Sequence, residues 1–221
     1  MGRALIFDFD GVIADSEVHA NRALAECLTS VGFQVNIEDC IRDYYGTNWQ
    51  ETERRIERNF GKKLPENFRS RYLAYEHALL GEGASPVAGI GELLTYLDGK
   101  KLAIASSSSE AVIRTSLKRF GIDHHFGEHI FSADGWSRGK PSPDIYLAAA
   151  EGIGVPPDDC TAIEDSPNGA QAALSAGMTV IGFCGASHIE DKKKHAETLR
   201  AIGVHEIALS HADVRDIVVG A

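Results

Sequence analysis

The spacing of apolar positions changes twice along the chain, and each change marks a change of secondary structure. Residues 4–7 form an uninterrupted apolar run of strand length that ends in Asp8. Between residues 17 and 82 apolar residues recur every three or four positions, which predicts four consecutive helices and no strand. From residue 84 onward, short apolar runs alternate with helical stretches, which predicts a parallel sheet covered by helices on both faces.

Glycine, proline and asparagine mark where the predicted helices begin and end. The helix after Ser16 is expected to end at Gly32, while Asn36, Asn48 and Pro65 are suited to the starts of the next three. The second helix is expected to end near Tyr45 and Gly46. In the rest of the chain the pattern predicts strands at 102–105, 130–132, 160–163, 178–183 and 206–209, and helices at 91–98, 110–120, 144–152, 168–176, 189–202 and 211–219.

This division predicts two domains, one of them inserted into the other. Residues 1–15 and 84–221 form an α/β core, and residues 16–83 form an all-α cap that follows the first strand. The chain has 221 residues, of which 43% are hydrophobic, and this is enough apolar material to bury a sizeable core.

Charge and cysteine usage narrow the range of partners and compartments. The formal net charge is −10, with 22 basic and 32 acidic residues, which argues against a nucleic-acid surface because phosphate backbones need a basic patch. No run of 18 apolar residues and no signal-peptide pattern occurs, so we expect a cytoplasmic protein with no membrane partner. We expect buried free thiols, since no Cys-x-x-Cys pair is formed by Cys27, Cys40, Cys160 and Cys184.

Polar residues follow four of the predicted strands at the point where each strand ends. The carboxyl ends of parallel strands meet at one edge of a sheet, so these residues are expected to converge there. Taken singly, each is most simply a helix cap, a turn or a surface residue, but the joint pattern favours a functional site. The candidates are Asp8 and Asp10 after the first strand, Ser106 and Ser107 after the second, Lys140 in the loop after the third, and Glu164 and Asp165 at the end of the fourth.

The chemistry of these side chains suits phosphoryl transfer. A carboxylate can attack phosphorus, which makes Asp8 a candidate nucleophile, and Asp10 can move protons for it. The two carboxylates repel each other, and Mg²⁺, which prefers oxygen ligands, would offset their charge between Asp8 and Asp165. Lys140 and Ser106 can donate to phosphoryl oxygens, with help from backbone N–H groups at the start of the next helix.

These residues resemble the conserved motifs of the haloacid dehalogenase-like hydrolase superfamily, and the likeness covers essentially the whole chain. The four motifs are short individually and specific jointly. They correspond to Asp8-Phe-Asp10-Gly-Val-Ile-Ala-Asp15-Ser, to Ser106 after Ile104-Ala105, to Gly139-Lys140-Pro141-Ser-Pro-Asp144, and to Ile163-Glu164-Asp165-Ser-Pro-Asn-Gly169.

The resemblance implies a Rossmann-like core, dependence on Mg²⁺, Asp8 as nucleophile and Asp10 as general acid and base. Asp8, Asp165 and the main-chain carbonyl of Asp10 would hold the metal, with Glu164 adjacent to it. The candidate metal set is therefore Asp8, Asp10, Glu164 and Asp165, and the candidate phosphate-binding set is Ser106, Ser107 and Lys140.

Within the superfamily the chain is most similar to the group that holds β-phosphoglucomutase and sugar-phosphate phosphatases. Mutases of this group carry a histidine soon after the first motif, where this chain has Ala20, with His19 one position away. They also carry a cap arginine shortly after a glycine, where this chain has Gly46-Thr47-Asn48-Trp49, and a cap lysine whose position falls near Glu76, so both basic groups are missing here. We therefore expect a phosphatase that hydrolyses a small phosphate ester, a sugar phosphate or sugar-acid phosphate, through an aspartyl-phosphate, and that is a monomer or weak homodimer.

Three alternatives remain. The first is a β-phosphoglucomutase-like phosphomutase. The second is a dehalogenase, which Asp10 argues against because that branch of the superfamily lacks the second aspartate of the first motif. The third is a non-enzymatic aspartate phosphoacceptor similar to a signalling receiver domain, against which the helical insertion speaks.

Overall fold

The computed structural model describes residues 4–44, 49–132 and 138–220. The chain divides into two compact units, one of residues 1–15 with 85–221 and one of residues 16–84. The predicted end of the second helix at Tyr45 and Gly46 and the predicted start of the third at Asn48 lie outside the described residues. In chain order the elements are β1 (Ala4–Phe7), β2 (Ala14–Asp15), α1 (Glu17–Ser30), α2 (Ile37–Tyr44), α3 (Trp49–Phe60), α4 (Phe68–Gly83), β3 (Ser85–Pro86), α5 (Ile90–Tyr96), β4 (Lys101–Ala105), α6 (Glu110–Phe120), β5 (Ile130–Phe131), α7 (Asp144–Gly152), β6 (Cys160–Glu164), α8 (Pro167–Ser175), β7 (Thr179–Phe183), α9 (Lys192–Ala201), β8 (Glu206–Ala208) and α10 (His211–Val219).

The first unit is built on a six-stranded sheet in the order β5-β4-β1-β6-β7-β8, with every neighbouring pair parallel. Alternate residues of β1 face opposite sides. Ile6 packs among residues of α7 and α8, whereas the ring of Phe7 makes an edge contact with Phe126, which follows α6. The predicted α/β fold, a parallel sheet with helices on both faces, is confirmed.

Side-chain caps mark the starts of α6, α8, α9 and α10 in this unit. The hydroxyl of Ser109 accepts a hydrogen bond from the N–H of Val112 at the start of α6, and Gly121, with φ of 72°, ends that helix. The prediction for α9 was wrong by three residues at its start. Asp191 accepts from the N–H of Lys194, so the helix begins after this cap rather than at Ile189.

A small antiparallel pair, β2 with β3, was missing from the prediction. It joins the two points where the chain leaves and re-enters the first unit, with Ala14 opposite Pro86 and Asp15 opposite Ser85. Each strand has two residues, which is too short to leave an alternating apolar pattern.

The second unit contains helices α1 to α4 around its own apolar cluster, to which Leu28, Ile56 and Phe68 contribute. The indole of Trp49 stacks on the ring of Tyr72, with centroids 5.6 Å apart. Helix α4 begins at Phe68 rather than at Pro65, because residues 65–67 form a turn in which the N–H of Phe68 donates to the carbonyl of Pro65.

All four cysteines are free and buried, which agrees with the prediction from their spacing. None of the helices in the described ranges has the length and apolar character needed to cross a bilayer.

Candidate active site

Asp8 is fixed at the carboxyl end of the central strand. Its N–H donates to the carbonyl of Ile163 on β6 at 2.9 Å, which continues the sheet ladder by one residue. The residue is 7% exposed, and its Oδ1 accepts a hydrogen bond of 2.9 Å from Nζ of Lys140. The loop before α7 therefore brings Lys140 to the end of β1.

Lys140 lies between two carboxylates. Its Nζ is 2.9 Å from Oδ1 of Asp8 and 2.5 Å from Oε1 of Glu164. Burial lowers the pKa of Lys140, but the charges of Asp8 and Glu164 outweigh burial and raise the pKa above its usual value. The ammonium group therefore stays charged although its side chain is buried.

The carboxylate of Glu164 is fully buried and surrounded by donors. Its Oε1 accepts from Lys140 and from the hydroxyl of Tyr146 at 2.7 Å, and its Oε2 accepts from the N–H and hydroxyl of Ser166 at 3.2 and 3.1 Å. Burial, followed by the charge of Glu164, raises the pKa of Tyr146 well above its ordinary value, so the phenol remains a donor. Glu164 thus holds the lysine in place.

Gly169 in α8 leaves room for that carboxylate. A Cβ at this position would lie 1.7 Å from Oε1 of Glu164. We expect Gly169→Ala to lower the free energy of unfolding by about 1–3 kcal/mol in urea titrations, because the buried carboxylate has no space to yield. The control is Gly91→Ala in α5, where an added Cβ meets no atom within 4 Å and the substitution should stabilise by about 0.4–1 kcal/mol. Equal effects at both positions would contradict the steric explanation.

Asp8, Glu164 and Asp165 are brought close enough to hold a cation. Each offers an oxygen within 4.8 Å of the others, and all three residues are buried. Burial, together with the charge of Glu164, raises the pKa of Asp8 to about 8 even though Lys140 opposes the shift. An all-oxygen donor set with excess negative charge fits Mg²⁺.

The carboxylate of Asp10 points to a different set of partners. Its Oδ2 accepts hydrogen bonds from the hydroxyls of Ser106 at 3.2 Å and Ser108 at 2.6 Å. Ser106 is fully buried, whereas Ser107 is exposed. The structure therefore brings Asp8, Asp10, Ser106, Lys140, Glu164 and Asp165 to one edge of the sheet and leaves the side chain of Ser107 at the surface.

Two histidines beyond β7 were not foreseen, His188 in the segment that follows the strand and His195 in α9. Nε2 of His188 lies 3.5 Å from Oδ2 of Asp165, and Nε2 of His195 donates to the main-chain oxygen of Asp165 at 2.6 Å. Burial lowers the pKa of His188 to about 4, so the ring is neutral near pH 7. A signal was present, because Ser187 and His188 follow a parallel strand just as the other candidate residues do. The contacts of Tyr146, which lies in α7, and of Ser108, in the segment after β4, were also missed.

The parallel sheet, the acidic cluster at its edge and the lysine from the loop before α7 together define a hydrolase of the haloacid dehalogenase type. Residues 5–183 match the family model described as "Haloacid dehalogenase-like hydrolase", and the chain belongs to this family. The resemblance seen in the motifs is confirmed.

Proteins of similar sequence support the same family assignment. Protein SUPPRESSOR OF QUENCHING 1 of Arabidopsis thaliana is 34% identical over 190 residues, a match that covers 80% of this chain and only 17% of that longer protein. Fructose-1-phosphate phosphatase of Escherichia coli is 29% identical over 177 residues, covering 80% of this chain and 94% of that protein. β-Phosphoglucomutase of Bacillus subtilis is 29% identical over 205 residues, covering 81% and 82%.

A solved structure shares the whole fold. A haloacid dehalogenase-like protein of unknown function from Agrobacterium tumefaciens superimposes with a TM-score of 0.87 at 30% identity. The match covers 100% of this chain and 99% of that one.

Proposed function

We propose that this protein is a Mg²⁺-dependent phosphatase that hydrolyses a small phosphorylated metabolite, a sugar phosphate or a sugar-acid phosphate, through an aspartyl-phosphate on Asp8. The observation that carries the proposal is the pairing of buried Asp8 with the charged Lys140, beside a cluster of oxygen donors that fits a divalent cation. The relatives support the substrate class, since one of them is a fructose-1-phosphate phosphatase.

Asp8, Asp10 and Lys140 have different roles in the proposed reaction. Oδ of Asp8 attacks the phosphorus atom, the bond to the ester oxygen breaks, and Asp10 gives that oxygen a proton. Lys140 stabilises the negative charge of the transferring group. Asp10 then takes a proton from a water molecule, which attacks the phosphorus atom and releases Asp8 and inorganic phosphate.

The cation would be held by Asp8, Asp165 and the main-chain carbonyl of Asp10. When bound there, it keeps Asp8 ionised and neutralises the charge of the incoming phosphate. Glu164 lies beside this set, but both of its oxygens accept hydrogen bonds from Lys140, Tyr146 and Ser166. Glu164 is therefore placed to support Lys140 rather than to be a principal ligand.

A phosphomutase is the second candidate, and the β-phosphoglucomutase among the relatives favours it. Two described positions argue for hydrolysis instead. Ala20 stands where mutases carry a histidine, and Glu76, which accepts a hydrogen bond of 2.6 Å from Tyr72, stands near their cap lysine. Hydrolysis of the aspartyl-phosphate needs neither group.

The experiment is a screen of phosphate release from phosphorylated sugars, sugar acids and nucleotides, with ³¹P NMR of the sugar products. We expect steady release of inorganic phosphate from sugar or sugar-acid phosphates and no isomerised phosphate ester. Isomerised product would favour the mutase. Stable labelling of Asp8 by acetyl phosphate without turnover would favour a non-enzymatic phosphoacceptor.

Removal of divalent cations tests the metal dependence. We expect EDTA to abolish phosphate release and added Mg²⁺ to restore it, because the acidic cluster then regains its counter-charge. Isothermal titration of the EDTA-treated protein with Mg²⁺ measures binding independently of turnover. Full activity in EDTA, with no heat of Mg²⁺ binding, would contradict the proposed cofactor.

A further inference from the structure

Two serine hydroxyls hold one oxygen of Asp10. The hydroxyls of Ser108 and Ser106 both lie within hydrogen-bond distance of Oδ2, at 2.6 and 3.2 Å. Both serines lie in the segment that follows β4, which is the neighbour of β1 in the sheet. The acid that follows β1 is thus held by a neighbouring strand end.

The direction of both hydrogen bonds follows from the acceptor, because a carboxylate oxygen has no hydrogen to donate. The Ser106 hydroxyl therefore donates to Oδ2, while its Oγ accepts from the N–H of Ser108 at 3.0 Å. The hydroxyl of Ser108 donates to the same oxygen at the shorter distance. Oδ2 of Asp10 accordingly accepts two hydrogen bonds.

Helix capping does not account for Ser108. The hydroxyl that caps α6 belongs to Ser109, which accepts from the N–H of Val112. Ser108 is one residue earlier, and its hydroxyl is directed at Asp10 instead. Its side chain therefore serves the acid rather than the helix.

We propose that Ser108 is a positioning residue for Asp10: its hydroxyl holds the carboxylate by Oδ2 and so fixes the orientation in which Asp10 exchanges protons during the reaction. This inference rests on the proposed phosphatase function. In the first step the O–H bond of the Asp10 carboxyl group breaks and the proton goes to the ester oxygen, which takes the electron pair of the broken P–O bond. In the second step the Asp10 carboxylate takes a proton from the attacking water as the bond between phosphorus and Asp8 breaks.

The dependence of rate on the leaving group separates this role from phosphate binding. An alkoxide leaving group needs a proton from the general acid, whereas 4-nitrophenolate leaves without one. We expect Ser108→Ala to lower kcat/KM about 10- to 100-fold for the sugar phosphate that the wild type hydrolyses fastest, as part of the roughly 10²- to 10⁴-fold that acid–base catalysis contributes. For 4-nitrophenyl phosphate we expect kcat/KM to change less than threefold, or about 0.6 kcal/mol.

Three further variants complete the experiment. Asp10→Asn should show the same leaving-group pattern with a larger loss, and Ser108→Thr should recover most of the activity because it keeps the hydroxyl. Ser175→Ala, which removes an exposed hydroxyl that accepts from Gln171 in α8, should behave as wild type. Circular dichroism and thermal unfolding check that each variant is folded.

Several results would overturn the inference. Equal losses on both substrates in folded Ser108→Ala would assign the hydroxyl to phosphate binding, and no loss on either would leave it without a role. If Asp10→Asn shows the leaving-group pattern and Ser108→Ala does not, the inference fails while the proposed function stands. If the wild-type protein releases no phosphate from any substrate, the proposed function itself fails.

Discussion

Replacing Asp8 with asparagine is expected to abolish phosphate release and, at the same time, to stabilise the metal-free protein. An amide cannot attack phosphorus, and loss of the nucleophile should lower kcat by roughly 10⁴-fold or more. The stability gain follows from burial, because the carboxylate is 7% exposed and faces the charge of Glu164. Initial-rate assays and thermal unfolding in EDTA measure the two effects.

The raised pKa of Asp8 also predicts how the stability of the metal-free protein depends on pH. The pKa of Asp8 is raised to about 8 in the folded protein, against about 3.9 for an unfolded chain. Between these values the folded state holds a proton that the unfolded state has released. The stability of the metal-free wild type should therefore fall as pH rises from about 4 to about 8, and Asp8→Asn should remove much of this fall.

The matched control is Asp216→Asn, which changes an exposed aspartate of α10 that pairs with Arg215. It should retain full turnover and the wild-type pH profile of stability. Appreciable turnover in Asp8→Asn, after contamination by wild type is excluded, would falsify the assignment of the nucleophile. A melting temperature below that of the wild type at pH 8 in EDTA would contradict the electrostatic explanation.

Replacing Lys140 with methionine is expected to have the second largest effect. The substitution keeps a side chain of similar length but leaves Asp8 and Glu164 buried without their shared cation. Removing one partner of a buried ion pair costs about 3–5 kcal/mol, and removing a stabilising donor from a reacting group lowers kcat about 10²- to 10³-fold. Urea unfolding and steady-state kinetics measure these losses.

Lys118→Met, at an exposed position in α6, is the control and should leave both quantities near the wild-type values. The double variant Asp8→Asn with Lys140→Met should lose less stability than Lys140→Met alone, since one of the two stranded carboxylates is gone. An unfolding midpoint for Lys140→Met equal to that of the wild type would show that the pair contributes nothing to the fold.

The elements that could be predicted are those whose signal is local. The strand at 4–7 is a continuous apolar run because β1 lies between β4 and β6 and is buried on both faces. Helix α6 has a serine cap at one end and Gly121 at the other. The pair β2–β3 and the start of α9 depend on two-residue pairing and on one side-chain cap, which periodicity does not report.

The residues of the candidate site also fall into those that could be predicted from the sequence and those that could not. Asp8, Lys140 and Asp165 could be predicted because each follows a strand whose carboxyl end lies on one edge of the sheet. The hydrogen bonds of Ser108 and Tyr146 could not, since they depend on how a loop and a helix turn their side chains toward acids far away in the sequence. Ser107 was chosen as the neighbour of Ser106, but a change of direction after β4 exposes it and turns Ser108 inward.

The insertion of a contiguous helical unit after the first strand sets an order for folding during synthesis. Ala4 pairs with Lys101 on one side and with Cys160 on the other, so β1 has no sheet partner until β4 has left the ribosome and no second partner until β6 follows. Residues 16–84 already carry their own apolar cluster at that stage. We expect the helical unit to become compact first. Until its partner strands emerge, the apolar segment that ends in Asp8 remains unpaired and exposed, so we expect it to be prone to aggregation or to chaperone binding.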